Sequence, residues 1–350
     1  MVRQRVAVIF GGRSGEHEVS IRSARSVMAA LDGTRWEVVP VGVTRHGAWL
    51  TAETTQAALD EGASAFDQGG TALTAGASLA ALASCDVAFP LIHGTNGEDG
   101  TLQGLLELAG IAYTGAGVAA SAVGMDKALQ KALFIEAGIP VGRYAVLRRW
   151  ELQRDCDAAL RFVEGEVGYP CFVKPANGGS SVGVTRVVSR EDLGGAFLTA
   201  LRYDEKLVAE AAVIGREVEC SVLGNEAPEA ASVVGEIEPD REFYDYESKY
   251  ATDSATKLHV PARIDDGPVD RVRELAVRMY QVIGCEGYAR IDFFVQEDGA
   301  VMANEVNTIP GFTSISMYPK LWDASGLSFP DLLSRILDLG IARHERGLAR

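Results

Sequence analysis

The chain has 350 residues, enough to bury a large core and to form two or three domains. Apolar residues make up 47% and charged residues 23%, which is typical of a soluble globular protein. The formal net charge of −15 argues against a nucleic-acid backbone as the main partner, although a phosphate ligand would need only a few local donors.

Other whole-chain features predict a cytoplasmic protein that has no membrane partner. The five cysteines are scattered without a CxxC pair, and most of them lie in apolar runs, as buried free thiols do. The apolar run near the N-terminus is too short for a signal peptide. No run approaches the roughly 20 apolar residues of a membrane span.

The N-terminal third alternates strand-like and helix-like segments. Strands are predicted at 5–10, 36–43 and 85–94, and helices at 19–31 and 97–110. This alternation predicts a mainly parallel α/β sheet, whose ligands bind at the carboxyl ends of its strands. The stretch 51–80 is rich in Ala, Gly and Thr and only weakly periodic, so part of it is interpreted as a surface loop.

The remainder of the chain predicts further strands and helices after a candidate domain boundary. A helix at 124–138 leads to Pro140, where that boundary is placed. Strands follow within 169–188, where a Gly/Ser loop joins two of them, and at 206–213, 216–223, 231–238 and 287–307. The segment 240–262 is long and aperiodic, and its tyrosines and mixed charges favour a functional lid over simple disorder.

The run 287–307 contains an Asp-Gly turn at 298–299, a strong signal for a two-residue hairpin. If this turn is the centre, Asp292 lies opposite Glu305 and Arg290 lies opposite Asn307. Two carboxylates directly across a ladder repel each other, so a cation is expected between them.

The nature of that cation stays open at this point. Asp292, Glu305 and Asn307 supply only oxygen donors, which Mg²⁺ and Mn²⁺ prefer. The alternative is a surface ion network in which Arg290 neutralises the carboxylates. A one-residue bulge would change the register on which both interpretations depend.

A second motif, FVKPANGGSSVGV, predicts phosphate contact. Lys174 ends an apolar strand, and the loop 178–183 can bring backbone N–H groups and hydroxyls close to phosphates. The loop is not a Walker A motif, because it joins two strands and lacks GxxxxGK[ST]. The alternative is that Lys174 only extends from a strand end towards solvent.

A third motif, GGRSGEHEVS, follows the first strand and enters a helix. Glu16 in this turn could hold a substrate ammonium, or it could simply stabilise the first turn of the helix. His93 at the end of another strand is isolated from other histidines, which favours a structural role.

Taken together, these segments closely resemble the D-alanine:D-alanine ligases of the ATP-grasp superfamily. The matching pieces span residues 11–316 and read GGRSGEHEVS, HGTNGEDGTLQG, MDK, VKPANGGSSVGV, YDYESKY, ARIDFF and NEVNTIPGFTSIS. One such motif would be weak evidence, but seven in order along one chain are specific.

The resemblance implies a three-domain ATP-grasp architecture, α/β overall with an α+β ATP-binding part. The implied domains are an N-terminal parallel α/β domain (1–125), a central domain (126–215) and a C-terminal catalytic domain (216–350). ATP would phosphorylate one D-alanine, and the amine of a second would attack the acyl phosphate. The partners are ATP, D-alanine and Mg²⁺ or Mn²⁺, with two ions expected, and the assembly is a homodimer.

The resemblance also assigns nucleotide and metal roles. Metal ligands are Asp292, Glu305 and Asn307, in agreement with the hairpin argument. The implied nucleotide ligands are the phosphate-binding Lys127 and Lys174, the loop residues Gly179, Ser180 and Ser181, the adenine and ribose contacts Glu210 and Glu217, and the lid residue Lys249.

The resemblance also assigns residues to the amino-acid substrates. Glu16 would hold the first ammonium, with His93 nearby, and Ser180 and Tyr250 would join the loops to Glu16. Arg290 and the N–H of Gly311 would stabilise the oxyanion, and Ser316 would bind the second carboxylate.

Rival interpretations are weighed against the same motifs. Another ATP-grasp amino-acid ligase, including one that uses D-lactate, would share the phosphate and metal residues. Tyr250 within YDYESKY favours alanine over lactate. A noncatalytic nucleotide-binding regulator could lose Arg290 or a metal ligand, yet all are present. A dinucleotide oxidoreductase leaves the lysine-glycine loop and the hairpin carboxylates unexplained.

Overall fold

The computed structural model describes residues 3–62, 66, 75–239 and 256–349. Lys249, Tyr250 and most of the predicted lid, residues 240–255, therefore lie outside the described residues. Within them, three separate β-sheets carry the strands.

The N-terminal sheet is parallel, with the order β2-β1-β3. Its strands are β1 (Gln4–Gly11), β2 (Trp36–Val43) and β3 (Val87–Pro90), and the apolar runs of β1 and β3 are buried on both faces, as parallel strands are. The accompanying helices are α1 (His17–Ala30), α2 (Ala52–Glu61), α3 (Ala75–Ala83), α4 (Thr101–Leu108) and α5 (Val118–Met125). The prediction of a parallel α/β unit is confirmed.

The middle sheet is antiparallel and has the order β4-β7-β5-β6. The strands are β4 (Tyr144–Arg148), β5 (Cys171–Pro175), β6 (Thr185–Val187) and β7 (Lys206–Ala211). The helices are α6 (Lys127–Glu136), α7 (Arg149–Arg154), α8 (Cys156–Glu166) and α9 (Arg190–Ala200). As predicted, the Gly/Ser loop joins two strands, β5 and β6.

The C-terminal sheet is antiparallel, with the order β11-β10-β8-β12-β13 and β9 paired to β8. Its strands are β8 (Arg216–Leu223), β9 (Glu229–Ala230), β10 (Gly235–Glu238), β11 (Lys257–His259), β12 (Tyr288–Val295) and β13 (Val301–Asn307). Its helices are α10 (Asp266–Val282), α11 (Met317–Ala324) and α12 (Phe329–Leu348). The three sheets fall inside the three predicted domain ranges, whose exact limits stay predictions.

In the stretch 51–80, α2 occupies 52–61 and α3 begins at 75, while most of the part between them, where a surface loop was predicted, lies outside the described residues. Two other predicted elements need correction. The helix predicted at 124–138 is two helices, since Asp126 ends α5 and caps α6 by accepting from two backbone N–H groups. The strand predicted at 231–238 begins only at Gly235.

The predicted pairing in the β12–β13 hairpin is correct, but the predicted two-residue turn is wrong. Gln296 pairs with Ala300 across a three-residue turn, which shifts the ladder by one residue so that Val295 lies opposite Val301. A bulge at residue 304 then adds one residue to β13 and reverses the shift. Asp292 consequently faces Glu305, and Arg290 lies opposite residue 307.

An aromatic cluster joins the N-terminal sheet to the C-terminal unit. Phe89 of β3 contacts Tyr288 and Phe312 edge to face, and Tyr318 packs against both of these. All four side chains are buried, and such contacts contribute beyond their buried area. The cluster fixes the loop after β13 against the carboxyl end of the parallel sheet.

Candidate active site

A cavity of about 820 Å³ lies between the middle and C-terminal sheets. Its wall combines the Gly/Ser loop, the ends of β5 and β7, and the faces of β8, β12 and β13. Most predicted nucleotide and metal residues line it: Lys127, Lys174, Gly179, Ser180, Ser181, Glu210, Glu217, Asp292 and Glu305. The predicted oxyanion residue Arg290 lines it too.

Lys127 links the start of α6 to the C-terminal hairpin. Its backbone N–H donates to the carbonyl of Ala176, which anchors the helix start beside the Gly/Ser loop. Its Nζ donates to the carbonyl of Gly178 at 2.7 Å and lies 3.1 Å from Glu305 Oε2. Burial acts to lower the pKa of Lys127, but Glu305, Glu210 and Glu98 together outweigh it, so the pKa is raised and the ammonium stays charged.

Lys174 is held by a carboxylate from the neighbouring strand. Its Nζ lies 2.9 Å from Glu210 Oε2, while Lys131 approaches Oε1 of the same carboxylate at 3.4 Å. Burial lowers the pKa of Lys174, although Glu210 opposes that shift. Burial acts to raise the pKa of Glu210, but Lys131 and Lys174 prevail and the pKa lies below its ordinary value.

Arg290 occupies the centre of the C-terminal sheet face. Its Nε and Nη2 donate to the two oxygens of Asp292, both at 2.8 Å, and Nε lies 3.1 Å from Glu219 Oε2. Asn307 also donates to Asp292, at 2.8 Å. Burial acts to lower the pKa of Arg290, but Asp292 and Glu219 hold it well above its usual value.

The donor set of the hairpin fits a divalent cation. Asp292 and Glu305 are paired across the ladder, and residue 307 on the same face adds an amide oxygen. Among the described residues, no group of three or more His, Cys, Asp and Glu is arranged to hold a metal. Two carboxylates and an amide suit Mg²⁺, which takes few protein ligands and completes its shell with phosphate and water.

The Gly/Ser loop is tied to the N-terminal unit through Glu16. Ser180 donates a hydrogen bond to Glu16 across the domain gap. A Cβ at position 179 would lie 2.6 Å from Glu16 Oε2, so a larger residue would require the Glu16 side chain to move. Ser180 and Ser181 have φ of 48° and 59°, values uncommon outside glycine that are found at functional sites.

His93 is a structural residue in this arrangement. Its Nδ1 lies 3.0 Å from the carbonyl of Ile309, which can only accept, so Nδ1 carries the proton and Nε2 accepts from Ser23 at 3.0 Å. Burial lowers the pKa of His93, which keeps the ring neutral. Ser23 also accepts from the N–H of Phe312. The histidine therefore fastens the loop after β13 to α1.

Glu98 fastens the same loop from the other side. Its two oxygens accept from the backbone N–H groups of Gly94, at 2.7 Å, and Ile309, at 3.2 Å. Burial, and then the neighbouring carboxylate of Glu16, raise the pKa of Glu98 to about 8. Glu98 lines a small second cavity together with Lys127.

Gly311 and Ser316 lie together in this loop. A Cβ at position 311 would come within 2.6 Å of Ser316 Oγ, so a larger residue would require that hydroxyl to rotate away. Ser316 Oγ accepts from the N–H of Thr313 at 3.0 Å and precedes the first turn of α11. Neither residue lines the large cavity.

Sequence reasoning did not single out three charged residues of the site. Glu98 accepts hydrogen bonds from backbone N–H groups, Glu219 is paired with Arg290, and Lys131 is paired with Glu210. The signal for Lys131 was its position four residues after Lys127, on the same helix face. Glu219 alternates with Glu217 on one strand face, a pattern that could also have been read.

Comparison with known proteins agrees with this geometry. The sequence model described as D-ala D-ala ligase N-terminus matches residues 5–116, and the one described as D-ala D-ala ligase C-terminus matches residues 133–338. The chain belongs to the D-alanine–D-alanine ligase family. The resemblance seen in the sequence is thereby confirmed, as is the ATP-grasp fold.

Individual members of the family are similar over nearly their whole length. A D-alanine–D-alanine ligase of Heliobacterium modesticaldum is 47% identical over 98% of this chain and 96% of its own. One of Geobacillus kaustophilus is 44% identical over the same shares.

Solved structures of the family have the same fold. The ligase of Coxiella burnetii superposes with a TM-score of 0.81 at 33% identity, covering 99% of this chain and 98% of its own. The VanG D-Ala:D-Ser ligase of Enterococcus faecalis has the same TM-score at 34% identity, covering 97% and 100%. In the described part of this chain, no helix is long and apolar enough to cross a membrane.

Proposed function

We propose that this chain joins two D-alanines to D-alanyl-D-alanine with ATP, for peptidoglycan precursor synthesis. The γ-phosphoryl group passes to the carboxylate of the first D-alanine, and ADP leaves. The amine of the second D-alanine attacks the acyl carbon, and phosphate is expelled. The observation that carries this proposal is one cavity that combines phosphate-binding cations with an oxygen-donor hairpin, closed by a loop bonded to Glu16.

The nucleotide roles follow from charge and position. Lys127 and Lys174 would hold the phosphates, with the N–H groups of the Gly/Ser loop around them. Glu210 and Glu217 lie where β7 and β8 border the cavity, and they would contact adenine and ribose. Because the carboxylate of Glu210 is taken up by two lysines, its adenine contact would use the backbone.

Asp292, Glu305 and Asn307 would hold Mg²⁺ or Mn²⁺, with two ions expected. The metal, when bound, neutralises charge on the transferred phosphoryl group. Lys127 would then no longer be paired with Glu305, whereas Arg290 would keep its contact with Glu219.

The amino-acid roles rest on the second half of the site. Glu16 would hold the first ammonium, with Ser180 and Tyr250 completing the contact between loops. Arg290 and the N–H of Gly311 would stabilise the oxyanion, since fixed donors act where negative charge develops. Ser316 would bind the second carboxylate at the N-terminus of α11, where backbone N–H groups favour an anion.

The proposed assembly is a cytoplasmic homodimer. Exposed apolar side chains on neighbouring helices suit contact with a second copy, and they include Leu105 and Leu108 of α4 and Val118 of α5. Light scattering at several protein concentrations checks this. A monomer at every concentration would contradict it.

The function is tested by product analysis with ATP, Mg²⁺ and D-alanine. We expect ADP, phosphate and D-alanyl-D-alanine in equal amounts, and none with L-alanine. Mixtures of D-alanine with D-lactate or D-serine test the second substrate, because a similar structure is named a D-Ala:D-Ser ligase. If ATP binds and no D-amino acid is joined, the roles of Glu16, Tyr250 and Ser316 fail while the nucleotide site stands.

A further inference from the structure

A buried lysine that the proposed function leaves unused lines the large cavity. Lys131 lies one turn after Lys127 on α6, so the two side chains share a face of the helix. The side chain of Lys131 is only 3% exposed. Lysine is rarely this buried unless its charge is paired.

Lys131 shares its partner with the proposed phosphate ligand Lys174. The Nζ atoms of Lys131 and Lys174 lie 3.4 Å and 2.9 Å from opposite oxygens of Glu210, whose side chain is 13% exposed. Oε1 of Glu210 is buried and accepts no hydrogen bond from the described residues. The ammonium of Lys131 therefore compensates the charge on that oxygen.

Nucleotide binding changes the balance at this carboxylate. The ammonium of Lys174 has three N–H donors, and when it turns them towards phosphate oxygens it compensates the charge of Glu210 less. Glu210 would then be a buried carboxylate beside a polyanion, which costs desolvation and adds repulsion unless another cation stays with it. We propose that Lys131 is a positioning residue that retains Glu210 when Lys174 turns to the phosphates. This proposal rests on the proposed function, because it takes the cavity ligand to be ATP.

Lys127 does not need such a substitute. The carboxylate that holds it, Glu305, is a proposed metal ligand, so a divalent cation would take that carboxylate over. Glu210 lies on the middle sheet and is not among those ligands. A cationic side chain must therefore compensate the charge of Glu210, and Lys131 already lies beside this carboxylate.

The test is a double-mutant cycle on ATP affinity, measured by calorimetry with Mg²⁺ present. Lys131→Met keeps the length of the side chain and removes its charge, and we expect it to weaken ATP binding about tenfold. In the Glu210→Gln background the same substitution should weaken ATP binding by less than about twofold, because no carboxylate charge is left for Lys131 to compensate.

Two variants serve as controls. Lys131→Arg should keep ATP affinity near that of the unmodified protein, because it keeps the charge. Lys206→Met removes a lysine that is paired with Asp126 outside the cavity lining. It should lower Tm and leave ATP affinity unchanged. If Lys131→Met does not fold, Lys131→Gln carries the same cycle.

The outcomes separate the two proposals. An equal loss with and without the Glu210 carboxylate would mean that Lys131 contacts the nucleotide directly, and it would overturn this inference. Unchanged ATP affinity in Lys131→Met would overturn it as well. If the unmodified protein fails to bind ATP, the proposed function itself is overturned.

Discussion

The nucleotide side and the amino-acid side of the candidate site hold their polar groups by different interactions. On the nucleotide side, Lys127 and Lys174 are paired with carboxylates inside one cavity. On the amino-acid side, His93 and Glu98 bind backbone groups of the loop after β13. The first side must exchange its partners when a ligand binds, whereas the second is already assembled.

The difference has an energetic reason. A buried cation that is paired with a carboxylate leaves no lone charge, and it can be transferred to phosphate when another cation takes over the carboxylate. A substrate-binding loop gains more from rigid hydrogen bonds, because a catalytic donor must be fixed before charge develops. Substitutions on the two sides should therefore fail in different ways.

The largest effect is expected on the ion-paired side. Glu305→Ala removes a proposed metal ligand and the partner of Lys127, so turnover should fall by at least about a thousandfold. Steady-state ADP release across a Mg²⁺ titration measures this loss. Glu297→Ala, at an exposed position in the same hairpin, is the matched control. Mg²⁺-dependent activity near normal in Glu305→Ala would contradict the metal role.

Arg290→Ala should separate rate from binding. Loss of one preorganised oxyanion donor costs about 10²-fold to 10³-fold in kcat, while the ATP affinity should change much less. Equilibrium binding of ATP and single-turnover kinetics measure the two quantities separately. Losses of equal size in both would place Arg290 among the nucleotide ligands instead.

Ser180→Ala tests the contact that joins the two sides. Removing the hydroxyl that donates to Glu16 should raise KM for D-alanine by about tenfold, the effect of one lost hydrogen bond to a charged group. KM for ATP should change by less than about twofold if the contact serves the amino acid. Initial rates with each substrate varied in turn decide this. A rise confined to ATP would assign Ser180 to the phosphates alone.

Glu98→Gln should alter how stability depends on pH. The pKa of Glu98 is raised from 4.5 to about 8, so the folded protein keeps a proton that the unfolded chain loses. The stability that Glu98 contributes is fully present below the pKa of this group in the unfolded chain. It declines as pH rises from about 4.5 towards about 8.

Thermal unfolding of both proteins across this pH range measures the effect. The Tm of the unmodified protein should fall by a few degrees relative to that of Glu98→Gln as pH rises. The amide of Gln at position 98 faces a backbone N–H, which shifts the Tm of the variant by the same amount at every pH. The slope of Tm against pH can therefore still be compared between the two proteins. Parallel curves for the two proteins would refute the raised pKa.

Much of the site could be predicted from short stretches of sequence. A lysine at the end of an apolar strand, followed by a Gly/Ser loop, is a local pattern, and its interpretation needed no distant residue. The opposition of Asp292 and Glu305 was also predicted, although the bulge at residue 304 was not. The three-residue turn and the bulge shift the register in opposite directions, so their effects cancel at Asp292 and Glu305. The sequence pattern shows neither feature.

Sequence by itself determined the strand and helix segments, the acidic balance and the order of the ligase motifs. These depend on apolar periodicity and on residue types within short windows. Tertiary structure alone decided which charges pair and which are buried. Ser180 reaches Glu16 over 164 positions of the chain, and Lys131 is buried because β7 brings Glu210 to it. Such contacts depend on how the three sheets pack, which no local window records.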